Sequence, residues 1–298
     1  MHFLISGGTG FVGSRLTAAL LRRGDSVTVL TRDYAAARRR LGPDVELVRD
    51  LEEIDPATTV NALVNLAGAP IADRRWTAAR KQELLQSRLR VTRDMIELLQ
   101  RLEQKPHCLI SASAIGFYGA GDDTPLTEES RARSEFSHEL CKQWEAEARK
   151  AEAQGVRTCI ARLGVVLGNG EGMLKKLLLP FRMGLGGRIG SGEQYMSWVH
   201  VDDVVAALLF LADNAEHEGA FNVTAPQPVT NEEFTKELAA ALKRPRLMPM
   251  PAWLVRVMFG EMGDRLLLNG QRVLPARLEA AGFTFQEGEV GAALERCV

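Results

Sequence analysis

The stretch Gly7-Gly8-Thr9-Gly10-Phe11-Val12-Gly13 lies between a short apolar segment at residues 3–6 and a segment of helical period from Val12 to Arg23. Its glycines follow the spacing G-x-x-G-x-x-G. Glycines at such a junction let the backbone turn tightly and come close to a pyrophosphate at the N-terminus of the following helix. Because the strand, the helix and the N-terminal position are all present, the stretch predicts a dinucleotide-binding unit whose contacts are Gly7, Thr9, Gly10, Phe11, Val12 and Gly13.

Short runs rich in β-branched and apolar residues alternate with longer helical segments beyond this stretch. This alternation is typical of a parallel sheet covered by helices on both faces. We therefore expect an α/β fold with a Rossmann-type, doubly wound parallel sheet. The predicted strands lie near residues 3–6, 26–31, 45–49, 61–66, 108–112 and 156–161, and the clearest helical period lies at 12–23, 77–103 and 135–154.

Glycine becomes dense after about Arg162, and regular alternation stops there, so loops are expected to dominate. Helices are expected to resume at 202–214, 231–243 and 252–259. The predicted division is a Rossmann domain over residues 1–162, with later segments adding to its sheet, and a smaller C-terminal substrate lobe over 163–298. A small helical cap is expected at 249–298.

The balance of charge gives no reason to expect a nucleic acid or an anionic membrane as partner. The 298 residues contain 37 Lys and Arg against 38 Asp and Glu, and the sequence pI is about 6.6. The four cysteines lack zinc-finger spacing, so reduced thiols and no metal site are expected. No cleavable leader and no membrane-length apolar run are recognised, which favours a cytoplasmic location.

The second predicted strand ends at Arg32-Asp33, where the adenosine ribose of a dinucleotide is usually read. An Asp there would accept from a free 2′-hydroxyl and favour NAD(H), whereas an Arg would pair with a 2′-phosphate and favour NADP(H). Arg32 is the first residue off the strand, so we expect NADP(H). The alternative is that Arg32 is a solvated loop charge. The nearby run 38–40 is expected on the exposed face of a short helix, from which one arginine could also reach the phosphate.

The fourth predicted strand is followed by Asn65-Leu66-Ala67-Gly68-Ala69-Pro70. Small residues there would let a dinucleotide lie close to the backbone, at the sheet edge where open α/β sheets bind ligands. Leu66, Ala67 and Gly68 are therefore predicted as a second cofactor contact.

The sequence resembles the extended short-chain dehydrogenase/reductase family over nearly the whole chain. The resemblance rests on residues 7–13, residues 65–68 and Ser111-Ala112-Ser113-Ala114, in this order. The chain is similar in particular to an atypical subgroup, the YfcH-type epimerase family, whose C-terminal lobe is a domain of unknown function. The residues that carry this narrower resemblance are 69–76, 116–119, 190–195, 197–200, 270–275 and 281–283. The resemblance implies a fold, a nicotinamide cofactor and a polar or phosphorylated small-molecule substrate. It is also compatible with a homodimer through the two long crossover helices.

The sequence departs from the wider family at the catalytic positions. The family places a Tyr and, four residues on, a Lys on the helix after the fifth strand, and the Lys lowers the Tyr pKa. Here Ser137 and Cys141 occupy those two positions, and Arg88 replaces the family's helical Asn. Ser113 matches the upstream Ser. A charge at position 88 would be costly to bury unless it paired with phosphate or an acidic substrate.

Three interpretations of this departure stay open. In the first, an oxidoreductase or epimerase-like chemistry survives: Ser113 polarises a substrate oxygen, and Tyr118, Tyr195 or His200 supplies the proton. Cys141 is a further catalytic candidate, although a buried helical thiol is more often inert. Ser111 and Arg162, at the ends of neighbouring strands, are added as cofactor contacts. In the second interpretation the protein is a non-catalytic NADP(H)-dependent sensor, and in the third it is a scaffold.

Overall fold

The computed structural model of the protein describes residues 1–298. Its strands are β1 His2–Ser6, β2 Ser26–Leu30, β3 Glu46–Val48, β4 Ala62–Asn65, β5 Cys108–Ala114, β6 Pro125–Leu126, β7 Arg157–Leu163, β8 Val165–Leu167, β9 Tyr195–Met196, β10 Trp198–His200, β11 Gly219–Val223, β12 Val229–Thr230 and β13 Arg272–Val273. Its α-helices are α1 Phe11–Arg23, α2 Tyr34–Leu41, α3 Ala78–Arg101, α4 Phe136–Ala148, α5 Gly172–Arg182, α6 Val201–Asp213, α7 Asn231–Ala241, α8 Ala252–Gly263, α9 Ala276–Ala280 and α10 Val290–Cys297.

Seven parallel strands form the central sheet, in the order β11-β7-β5-β4-β1-β2-β3. The chain starts at β1 in the middle of the sheet and adds β2 and β3 towards one edge. It then returns to β4, beside β1, and adds β5, β7 and β11 towards the other edge. The strand order therefore reverses between β1 and β4, where Ser6 lies opposite Asn65. In open α/β sheets this reversal opens a crevice at the carboxyl ends of the strands, which is where ligands bind.

The two faces of the sheet carry separate hydrophobic cores. Phe3 and Ile5 of β1 lie in one core with side chains of α1 and α6, whereas Leu4 lies in the other core with Met95 and Leu99 of α3. Successive strand residues point to opposite faces, so a strand covered on both sides must be apolar throughout. The doubly wound Rossmann-type fold predicted from the alternation is confirmed.

The segment after Arg162 is more regular than expected. Loops were expected to dominate there, but Gly172–Arg182 forms α5, and short strands pair as β8 with β10 and β9 with β12. Leu174, Leu178 and Phe181 of α5 are buried at helical spacing, a pattern that the surrounding glycines obscure.

The C-terminal segments connect the smaller lobe to the central sheet. β11 extends the sheet beyond β7, α9 packs against β11, and α10 packs against α7. The residues from 249 onward therefore contact both parts of the molecule.

No helix in the structure is both long enough and apolar enough to cross a membrane.

Candidate functional site

The glycine-rich turn between β1 and α1 is built for close backbone approach. Gly7 adopts φ 70°, and a Cβ added to Gly13 would lie 2.2 Å from the Gly7 carbonyl oxygen. No side chain caps α1, and the amides of Phe11, Val12 and Gly13 have no acceptor within the chain. Free first-turn amides at a helix N-terminus suit a pyrophosphate, so the residues present fit a dinucleotide.

The loop after β4 lies directly against this turn. A Cβ on Gly7 would approach the Leu66 carbonyl carbon and oxygen to 2.7 Å and the Ala67 nitrogen to 2.9 Å. The Leu66 amide donates to the Ser6 carbonyl at 3.1 Å. The structure thus brings together the two segments that the sequence assigned to the cofactor.

Phe11 has a packing role in addition to its amide. A Cβ added to Gly168 would lie 2.6 Å from the Phe11 ring, so glycine is needed there. At Gly172 the added Cβ would lie 3.2 Å from the ring, and the backbone φ of 60° also favours glycine. The ring thereby joins the phosphate-binding turn to the segment between β8 and α5. Val12 packs against the core on the α1 face of the sheet.

Arg32 and Asp33, which left the choice of cofactor open, have different roles. Asp33 is the N-cap of α2, and its carboxylate accepts from the Ala36 amide at 2.9 Å. Arg32 is exposed and forms no hydrogen bond or ion pair within the chain. The cation at the end of β2 is therefore available to a ligand, while the adjacent carboxylate already has a structural partner.

Two of the three following arginines already have partners. Arg38 donates to the carbonyl oxygens of residues 42, 43 and 45, and Arg40 pairs with Glu171 at 2.8 Å. Arg39 is exposed without a partner. If an arginine of this run assists Arg32, only Arg39 can do so without breaking an existing contact.

A buried polar network joins the carboxyl ends of β5, β7 and β11. The Ser113 hydroxyl donates to Glu145 Oε1 at 2.7 Å, and Arg162 donates to both oxygens of Glu145 at 2.9 Å each. Arg162 also donates to the Tyr118 hydroxyl at 3.0 Å, which in turn donates to Asn222 Oδ1 at 2.7 Å. All five side chains are buried.

This network changes the roles open to its members. All three guanidinium nitrogens of Arg162 donate to Glu145 or Tyr118, and the group stacks on the Phe117 ring. Because the Glu145 carboxylate also balances its charge, Arg162 is not free to hold a cofactor phosphate. Burial raises the pKa of Tyr118 although Arg162 lies beside it. Its hydroxyl is held between a donor and an acceptor, and the residue as a whole is 1% exposed. Ser111 is fully buried within β5, with its hydroxyl donating to the adjacent Ala112 carbonyl.

Arg88, by contrast, has no counter-ion. Its guanidinium donates to the carbonyl oxygens of Leu84 and Ala69, no carboxylate lies within ion-pair distance, and its buried Nε has no acceptor. Burial lowers the pKa of Arg88. Its Cζ lies 5.1 Å from the Trp144 ring centroid. A Cβ on Gly68 would lie 3.0 Å from that Cζ, so the absence of a side chain at Gly68 lets Arg88 pack closely there.

The two α4 positions that carry Tyr and Lys in the wider family carry buried, internally bonded groups. The Ser137 hydroxyl donates to Glu135, and the Cys141 thiol donates to the Ala114 carbonyl at 3.7 Å. Burial raises the pKa of Cys141 to about 11. The thiol is therefore protonated at neutral pH, which argues against Cys141 as a nucleophile.

His200 lies outside the Ser113–Tyr118 network. It is the N-cap of α6, where its Nδ1 accepts from the Asp202 amide at 3.3 Å. Burial lowers its pKa, and this outweighs the opposing effect of Asp202. Asp203, in the first turn of the same helix, accepts from the Gln286 and Glu287 amides and so anchors the C-terminal tail.

Asn222 and Glu128 were missed by sequence reasoning. The side chain of Asn222 orients the Tyr118 hydroxyl, and the backbone amide of Asn222 donates to Glu128 Oε1 at 2.8 Å. The available signal was a single polar residue in the apolar run Ala220-Phe221-Asn222-Val223. An isolated Asn in a buried strand must find partners, so it marks a polar contact even when the partner is unknown.

The parallel sheet, the uncapped helix behind a glycine turn and the free Arg32 together define a Rossmann-fold dinucleotide-binding protein. Residues 3–224 match the NAD dependent epimerase/dehydratase family, and residues 250–297 match a domain of unknown function, DUF1731. The chain belongs to the NAD dependent epimerase/dehydratase family.

Similar proteins cover the chain almost end to end. An epimerase family protein of Mycobacterium bovis is 41% identical over 97% of this chain and 95% of its own. The crystal structure of the human epimerase family protein SDR39U1 with NADPH has 34% identity and a TM-score of 0.89, covering 99% of this chain and 98% of that one. A nucleoside-diphosphate sugar epimerase structure from Corynebacterium glutamicum has 30% identity and a TM-score of 0.79, covering 99% of this chain and 57% of that one.

Proposed function

We propose that the protein binds NADP(H) across the glycine turn and the loop after β4 and is a cytoplasmic, NADP(H)-dependent oxidoreductase or epimerase-like enzyme acting on a polar small molecule. The observation that carries the cofactor choice is the division of roles between Arg32 and Asp33. A 2′-phosphate needs a free cation, which Arg32 supplies. A 2′-hydroxyl would need the Asp33 carboxylate, one oxygen of which already accepts from the Ala36 amide as the cap of α2. NADPH in the human SDR39U1 structure supports the same choice.

The nicotinamide end of the site has no Tyr and Lys pair, and Arg88 is the unpaired cation there. A bound nicotinamide would supply hydride transfer. The Arg88 side chain extends from α3 and packs against Gly68. It also lies close to Cys141, which occupies the family's Lys position. We assign Arg88 to the ribose hydroxyls or to an anionic group of the substrate, because this half-buried cation has no counter-ion and its buried Nε has no acceptor within the protein.

Titration of the purified protein with NADPH and NADH tests the cofactor assignment. Arg32→Ala should lose about 1.5–3 kcal/mol of NADPH affinity and leave NADH affinity unchanged, because only NADPH carries the 2′-phosphate. Arg22→Ala is a matched control, since Arg22 is also exposed but lies on α1 near its C-terminus. Equal affinity of the wild type for the two nucleotides, or an undiminished NADPH affinity in Arg32→Ala, would refute the assignment.

A second candidate function is a non-catalytic NADP(H) sensor. It is favoured by the hydrogen bonds at the positions where catalytic groups were expected. The side chains of Ser113, Tyr118, Ser137 and Cys141 all donate to groups within the protein. A sensor needs two conformations with different affinity for the nucleotide.

A further inference from the structure

Nearly all of the strongly exposed large apolar side chains lie in three chain segments. Apart from Met1, the large hydrophobic residues that are most exposed are Leu179, Met183, Leu185, Leu247, Met248, Trp253, Val257 and Met258. They belong to the C-terminal half of α5 with the loop after it, to the segment before α8, and to α8 itself. Isolated exposed apolar residues are ordinary, but this concentration in one part of the chain needs a cause.

The three segments are joined in space. The Met248 amide donates to the Gly186 carbonyl, the Met250 amide donates to the Arg188 carbonyl at 2.8 Å, and the Gly190 amide donates to the Met250 carbonyl at 2.9 Å. Residues 184–190 thus run beside residues 245–250, which lead directly into α8. We call these residues, 172–188 and 242–260, the apolar-basic surface.

The charges of the apolar-basic surface are all of one sign. It contains no Asp or Glu, and its basic residues are Lys175, Lys176, Arg182, Arg188, Lys243, Arg244, Arg246 and Arg256. Of these, Lys176, Arg246 and Arg256 pair with carboxylates elsewhere in the chain. The other five, Lys175, Arg182, Arg188, Lys243 and Arg244, are exposed and form no ion pair. The near-neutral net charge of the whole chain therefore includes an apolar region whose unpaired charges are all basic.

We propose that the apolar-basic surface docks on a membrane surface that contains anionic phospholipid. Its apolar side chains protrude separately, with Trp253 65% and Leu247 71% exposed, which suits insertion among lipid headgroups. Unpaired Lys and Arg around them attract anionic lipid, and Trp is favoured at the boundary of headgroup and hydrocarbon. A second copy of the chain fits less well, because a two-fold contact would bring two surfaces of the same charge together.

The site would lie close to the bilayer in this arrangement. Arg75, in the loop that follows the cofactor-contacting segment, donates to the carbonyl oxygens of Val257 and Met258 in α8. Lys81 of α3 pairs with Glu261 at 2.7 Å. The docking surface is thus fastened to the elements beside Gly68 and Arg88. The proposal does not depend on the cofactor or on catalysis.

Trp253 provides a direct measurement, since the other tryptophans, Trp76, Trp144 and Trp198, are at most 7% exposed. Vesicles of phosphatidylglycerol mixed with phosphatidylcholine should shift the protein's tryptophan emission to the blue, and brominated lipid should quench it. Trp253→Phe should abolish both signals while retaining most of the binding. Pure phosphatidylcholine vesicles should bind weakly, and added salt should reduce binding to the anionic vesicles.

Sedimentation with the same vesicles tests the charges. The double variant Lys175→Glu with Arg182→Glu should lower partitioning at least about twenty-fold, since each cation near an anionic surface contributes about five-fold. Arg22→Glu with Arg131→Glu is the matched control, because it changes net charge equally at exposed positions outside the surface. The proposal is overturned if anionic vesicles fail to bind at low salt, if both double variants bind equally, or if Trp253 mediates a dimer without vesicle binding.

Discussion

Arg162 and Glu145 form a side-on ion pair beneath the carboxyl edge of the sheet, with Nε to Oε1 and Nη2 to Oε2 both at 2.9 Å and both side chains 5% exposed. The pair links the end of β7 to α4 and also holds the Ser113 and Tyr118 hydroxyls. A buried pair of this kind is not itself strong evidence of stability, but the loss of one partner strands a charge.

Arg162→Met should therefore destabilise the protein by about 3–5 kcal/mol, because the Glu145 carboxylate would stay buried without its cation. Chemical denaturation measures this loss. Arg149→Met is the matched control, since Arg149 pairs with Glu152 on the surface and the loss there should be below about 1 kcal/mol. Losses of equal size in the two variants would show that the buried pair has no special role. The double variant Glu145→Met with Arg162→Met should recover part of the stability.

Gly10→Val should abolish binding of both NADPH and NADH. Gly10 has φ −74°, which any residue can adopt, and an added Cβ would meet only the Gly7 carbonyl oxygen at 3.1 Å. The fold should thus tolerate the change better than the ligand does, because the side chain would occupy the place of the pyrophosphate. Nucleotide titration alongside a thermal melt separates the two effects. Retained affinity in a folded variant would show that the turn does not bind the pyrophosphate.

Much of the fold could be predicted because its determinants are local. The apolar runs that became β1, β2, β4, β5 and β7, and the helical periods that became α1, α3, α4, α6 and α7, lie within a few residues of the predicted bounds. The helix at residues 172–182 was not predicted, because glycines flank it and Pro180 lies inside it. Glycine density indicates turns on average, but it does not exclude a short helix between two of them.

The site was less predictable because its contacts are between distant parts of the chain. Arg162 meets Tyr118 across 44 positions, and Tyr118 meets Asn222 across 104. Nothing in the sequence next to Arg162 distinguishes an arginine that is ion-paired within the protein from one that is free to bind a phosphate. The roles of Arg32 and Asp33 were open for a different reason. Either of these adjacent residues could contact the ribose, and the sequence does not show that Asp33 caps α2.

The four cysteines should be inert toward a disulfide reagent such as DTNB in the native protein at pH 8. All are buried and unbridged, and burial raises the pKa of Cys108, Cys141 and Cys297 to about 11 each and that of Cys159 to about 12. Reactivity requires the thiolate, which is scarce at such pKa values. All four should react in denaturant. A rapidly reacting thiol in the native state, lost in Cys141→Ala, would restore Cys141 as a catalytic candidate.

His200 should make stability depend on pH. Burial lowers the pKa of His200 below its usual 6.5, and only the neutral ring can accept from the Asp202 amide. Well above pH 6.5 this side chain is neutral in both the folded and the unfolded state, so its contribution to stability is complete. As pH falls below about 6.5, the unfolded chain takes up a proton that the folded chain resists, so the free energy of unfolding falls, by at most about 1.4 kcal/mol per pH unit.

Denaturation of the wild type and His200→Asn at a series of pH values measures this effect. Asn is a good N-cap, so the variant should stay folded while its stability varies less with pH over this interval. A difference between the two proteins that stays constant from neutral pH to pH 5 would mean that His200 titrates alike in the folded and unfolded states.

Ser113→Ala should separate catalysis from nucleotide sensing. The variant removes the hydroxyl that donates to Glu145 but leaves both Arg162 contacts in place, so little stability should be lost. If the protein is an enzyme, turnover should fall while NADPH affinity stays within a factor of a few. Thr158→Val is the control, since its buried hydroxyl bonds to the Val156 carbonyl, away from the Ser113 network.

If the protein is a sensor, NADPH should instead slow hydrogen exchange in residues 184–195 or in the C-terminal lobe, through unequal affinity for two conformations. The Arg75 contacts with α8 give nucleotide binding near Gly68 a direct physical link to that lobe. NADPH-dependent protection there, together with a broad metabolite screen that yields neither NADPH oxidation nor epimerisation, would exclude the enzyme. Turnover that depends on Ser113 without such protection would exclude the sensor, because a nucleotide that leaves the lobe unchanged transmits no signal to it.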